Sequence, residues 1–121
     1  MSMQQMLFGK SDAISPFVGS TSTVDQSGPA VTLAMPAAAQ DGDLMICILQ
    51  CRADRSITIP AGWTIHYSQT IPPAQSGTDY IRVHIVSAFR AGQTSLSFTQ
   101  SVSASASGAL LVFRGGSVGA N

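Results

Sequence analysis

The chain has no glutamate, and Lys10 is its only lysine. Six Lys plus Arg offset six acids, all of them aspartate, and charged residues make up only 10% of 121 positions. No net field is available to gather a polyanion, which argues against nucleic-acid binding. The long, charged residues that favour helix surfaces are replaced by Ser, Thr, Gly, Ala and Gln, a composition suited to strands and turns. A freely diffusing monomer ordinarily carries more charge, so the expectation is a homo-oligomer whose surface is partly covered by neighbours.

Cysteine is equally scarce. Cys47 and Cys51 stand four apart in "LMICILQC". On a strand they point the same way about 13 Å apart, beyond the reach of a disulfide. Two thiols also fall short of a zinc site, so they read as small buried hydrophobes. No apolar run approaches the roughly 18 residues of a membrane helix, and no basic segment followed by an apolar core opens the chain. The expectation is a protein made in a reducing cytoplasm, with no membrane association.

Reactive signatures are missing too. No Gly-x-Ser-x-Gly elbow occurs, and His66 and His84 fall at strand positions expected to face solvent. Asp25, Asp41, Asp43, Asp54 and Asp79 sit where aspartate serves turns, not as a convergent carboxylate pair. "DGD" at 41–43 could attract calcium, but the EF-hand pattern is absent. The reading is a non-enzyme with no metal, no cofactor and no small-molecule substrate.

What is present is a two-residue rhythm. From residue 30 onward, six or seven short strands follow one another at turn spacings of about 8 to 12 residues, as in a sandwich or barrel. "DLMICILQCR" at 43–52 is apolar on both faces, as expected of a central strand covered on both sides. After the Pro60-Ala61-Gly62 turn, Trp63, Ile65 and Tyr67 share one expected core face. In "DYIRVHIVSAFR" the alternation places Ile81, Val83, Ile85 and Phe89 inward and Tyr80, Arg82 and His84 outward. Phe98 is a further core anchor, and Trp63 is the large apolar wedge expected to hold two sheets together. "SVSASASG" at 101–108 reads as a loop that pairs in part. Residues 1–27 read as an irregular arm and 28–121 as an antiparallel two-sheet β-sandwich, jelly-roll-like or immunoglobulin-like. Met6, Leu7, Phe8, Ile14 and Phe17 in the arm, with Tyr80, Arg82 and His84, are the candidate partner contacts. Stacking of a sugar on Trp63, Tyr67 or Tyr80 is the rival reading, weakened because the first two share the expected core face with Ile65.

Four fragments carry a resemblance: Gly-Asp opening a very hydrophobic strand at 42–43, Pro-Ala-Gly-Trp at 60–63, a strand ending in Ala-Phe-Arg-Ala-Gly at 88–92, and a last strand ending in Phe-Arg-Gly at 113–115. Over about residues 30–116 the chain resembles a β-sandwich domain of tailed-phage virion proteins, found in head decoration (cement) proteins and in minor tail or fibre-associated proteins. The resemblance implies a structural protein of the capsid surface, with the major capsid protein as partner, and transfers no catalytic residue. A single domain with an apolar arm fits a decoration protein better than a tail component.

Overall fold

In a computed structural model, described over residues 15–26, 28–71, 80–101 and 105–114, the chain is all-β and no described residue is helical. Seven strands occur in the order β1 (Ser15–Gln26), β2 (Ala30–Ala34), β3 (Leu44–Arg52), β4 (Thr64–Ile71), β5 (Ile81–Phe89), β6 (Ser95–Thr99) and β7 (Ala106–Arg114). They form two antiparallel sheets, a large one in the order β1-β7-β3-β5-β4 and a small one of β2 and β6.

The core lies between the sheets. β2 offers Val31 and Leu33, and β6 offers Leu96 and Phe98, in strict alternation with exposed Thr32, Ala34, Ser97 and Thr99. They meet Met45, Cys47, Leu49 and Cys51 of β3, Val86 of β5, and Ala106, Leu110 and Val112 of β7. Both cysteines are buried and free, and desolvation pushes the Cys47 thiol up to about 12, so it is protonated and inert. Ile57 bridges to Gln100 and is buried, so the "ITI" segment continues the small sheet past β6 instead of forming a strand of its own.

Trp63 stands just ahead of β4, half-buried against the core, with its ring edge-on to Phe98 at 5.3 Å between centroids. The indole thus joins the large sheet to the small one. Its entry is shaped by Gly62, whose φ of 94° suits glycine and strains any other residue.

Residues 15–26 differ from the expectation. They are no irregular arm but a twelve-residue edge strand, paired along β7 from Ser15↔Arg114 to Gln26↔Ala106. Register shifts near both ends break the two-residue rhythm, and Ser, Thr and Gly in the middle give no apolar alternation to read. Met6, Leu7, Phe8 and Ile14 lie outside the described residues.

Three of the fragments behind the resemblance converge in one polar knot at the end of the large sheet. Arg114 closes a fork on Asp43, with Nε donating to Oδ1 and a second guanidinium N–H donating to Oδ2, both at 2.9 Å, and also donates to the Ala38 carbonyl at 2.7 Å. The Gln40 amide donates to Asp43 Oδ2, and the Arg90 amide donates to the Asp43 carbonyl. Arg90 in turn donates to the carbonyls of Gln93 and Ala39 and to Asp41 Oδ1. Asp43 is only 3% exposed, so its charge needs this company.

The Arg114 hydrogen bond holds the Asp43 carboxyl below its ordinary value of 3.8, the Gln40 amide helping and burial opposing. A lowered aspartate contributes stability that is present above its unfolded value and is lost as pH falls through the folded one. Asp43→Asn is therefore expected to lower Tm by several degrees at pH 7 and to flatten the acid limb of a Tm-against-pH curve below about pH 4. An unchanged acid limb in thermal scans would count against the knot.

Candidate interaction face

The small sheet covers only one side of the large one. On the other side, cross-strand register lines up five rows of side chains. The first is Phe17, Phe113, Leu44 and Phe89; the second is Ser20, Leu111, Ile46, Ser87 and Thr64. The middle row is Ser22, Ala109, Ile48, Ile85 and Tyr67, followed by Ser107, Gln50, Val83 and Gln69, then Arg52, Ile81 and Ile71. The apolar side chains are densest on β7, β3 and β5, while the outer strands β1 and β4 mix Ser20, Ser22, Thr64 and Gln69 with Phe17, Tyr67 and Ile71. Ile48 at the centre is 41% exposed and Phe89 52%. Phe17 packs edge-on to Phe113, with ring centroids 5.8 Å apart.

The inward and outward faces of β5 are opposite to the expectation. Ile81, Val83, Ile85 and Phe89 belong to the open side, whereas His84 and Val86 point into the core. The register decides this: His84 stands opposite Leu49 and Val86 opposite Cys47, both core residues of β3. β3 is apolar on both faces but, among the described residues, covered on one only, so its pattern could not say which parity of β5 goes inside.

His84, expected at the surface, is 5% exposed. Its Nδ1 lies 2.9 Å from Ser68 Oγ, and its Nε2 has no hydrogen-bond partner among the described residues. Burial, aided by the nearby Arg82 charge, lowers its pKa, so it sits neutral in the core. Arg82 is half-buried on the same side and donates to the Ala53 carbonyl at 3.2 Å; Tyr80, also half-buried, precedes the strand. Tyr80, Arg82 and His84 therefore do not make a solvent-facing contact stripe. Of the proposed contacts among the described residues, only Phe17 lies on the open face.

β4 also departs from the expected alternation. A bulge between Ile65 and Tyr67 inserts His66 and turns Tyr67 to the open face, opposite Ile85. Ile65 keeps the inward parity opposite Val86 but is 54% exposed, because β4 is an edge strand that the two-stranded cover does not reach. Trp63, Ile65 and Tyr67 thus share no single core face. His66 Nε2 lies 2.7 Å from Ser87 Oγ. Trp63 is turned onto Phe98, which leaves no aromatic platform built from Trp63 and Tyr67 together.

Among the described residues, no cluster of three or more His, Cys, Asp or Glu could hold a metal ion, and no helix is long and apolar enough to cross a membrane. Comparison with known proteins finds no matching family model, no matching curated protein and no matching solved structure. What the arrangement can do is adhere. A contiguous, largely apolar face excludes water well only when another surface lies on it. Its signal in the sequence was the double-sided apolarity of β3 and β7, which the alternation rule alone reads as double coverage.

Proposed function

We propose that the chain is a non-enzymatic structural protein of a tailed-phage particle, a two-sheet sandwich of jelly-roll-like or immunoglobulin-like kind. In this reading it is made in the host cytoplasm and decorates the outside of the head at joints between major capsid subunits. The observation that carries the reading is the open face of the large sheet: a subunit with that much uncharged apolar surface is completed by assembly and not by a substrate. The convergence of Gly42-Asp43, Phe89-Arg90 and Phe113-Arg114 in one knot also supports it, since the fragments behind the resemblance act together in the fold.

The mechanism is mass action. A protein that binds the expanded shell and not its precursor stabilises the expanded state, and many copies multiply the effect. The test adds purified protein to expanded shells that lack it. The reading expects co-sedimentation and greater survival of heat and osmotic shock; shells that neither bind the protein nor gain resistance would rule it out.

A further inference from the structure

We infer that the open face of the large sheet is closed by the same face of a second copy of this chain, related by a twofold axis near Ile48, Ile85 and Ala109. This goes beyond the decoration role, since it concerns the protein by itself: the assembly that completes the face is the dimer, and any shell contact is then made by the dimer's remaining surface.

Size is the first support. Five strands about 4.8 Å apart, each about nine residues long at a rise of about 3.3 Å, give a face of about 24 by 30 Å. Two such faces laid together bury about 1,400 Å², within the range of stable, specific interfaces. Sheets pack face to face in this way about 10 Å apart, with strands some 30° from parallel.

Charge is the second. Among the described side chains, the five rows hold one formal charge, Arg52, at the far end and bonded to Asp54 at 3.2 Å. A twofold axis through the middle row therefore sets no like charges against each other, the usual obstacle to self-pairing. An acidic or basic partner, in contrast, would find on the described face only Arg52, already paired with Asp54.

Relief and composition are the third. The apolar side chains are densest on the central strands, and the outer strands mix Ser20, Ser22, Thr64 and Gln69 with exposed Phe17, Tyr67 and Ile71, a mixture of apolar and polar groups that a protein interface also carries. Small residues at Ala109 and Ser87 stand among Ile46, Ile48, Ile85 and Leu111, so ridges of one face can settle into the hollows of the other.

Sedimentation velocity of the full chain at tens of micromolar tests the inference. A species of twice the 12.5 kDa chain mass is expected, and Ile48→Glu, which buries two facing charges in the interface, should shift it to monomer with the far-UV spectrum unchanged. Ile48 is already partly exposed and lies outside the core between the sheets, so the variant keeps the fold. A wild-type chain that stays monomeric overturns the inference, whether residues 1–14 of the same chain or nothing at all lies on the face. So does a dimer indifferent to Ile48→Glu but lost on Gln69→Pro, which would place the contact along the β4 edge. Shell binding by a monomeric chain would leave the decoration role intact while removing the dimer, so the two ideas fail separately.

Discussion

Phe98→Ala is expected to destabilise the protein by about 3–5 kcal/mol, the usual range for deleting a buried aromatic ring. Among the described residues Phe98 is the largest fully buried side chain, on the small sheet's inner face, and its ring takes the edge of Trp63 from the other sheet. Its loss removes the ring's transfer free energy, opens a cavity and frees the indole at the same time. Against a typical total of about 5–15 kcal/mol, that is a large share. The expected result is a fall in Tm of roughly 10–20 °C together with a red-shifted Trp63 emission in the folded protein. A shift in Tm with no change in emission would mean that the indole is held by something other than Phe98.

Gly108→Val is expected to come next in severity, at about 3 kcal/mol, whereas Gly108→Ala should cost about 1 kcal/mol or less. A β-carbon at Gly108 would stand 3.0 Å from a methyl of Leu49, 3.1 Å from one of Val31 and 3.4 Å from one of Leu33. These are the ends of side chains from both sheets, able to yield a few tenths of an ångström to one methyl group. The two further methyls of valine would meet an already filled layer and force the small sheet away from β7. Chemical denaturation of the pair checks the ranking, and equal stability of the two variants would mean that the sheets are not in close contact at this point.

Much of the strand order was legible because alternation is a local signal. β2 and β6 show it cleanly in "AVTLA" and "SLSFT", where one face is buried and the other wet. β5 also alternates, but its two faces carry Ile81, Val83 and Ile85 against Arg82, His84 and Val86, and apolarity alone chose the wrong side. The choice was made by pairing with β3 and by a hydroxyl from Ser68 that makes a buried histidine tolerable. Neither is written in the neighbours of His84. β1 was hidden for a different reason, since an edge strand of Ser, Thr and Gly with bulges needs no apolar period. The Asp43–Arg114 fork joins positions 71 apart, so the sequence shows its two ends and not their meeting.

The open face was visible in part. Runs such as "LMICIL" and "ALLVF" announce apolar residues on both sides of a strand, and covering on both sides is the common cause. Here the second cover is absent from the described residues, because two strands suffice for one side of five. An apolar surface left over in this way calls for assembly, and the dimer is the assembly that would cover it.

The most direct test of that view is the thiol reactivity of Ile48→Cys across protein concentrations, with native Cys47 and Cys51 as internal references. The account predicts that the two native thiols resist modification at every concentration, while the introduced thiol reacts freely in dilute solution and becomes protected as concentration rises. Native thiols that react as fast as the introduced one, or an introduced thiol whose rate is independent of concentration, would contradict it.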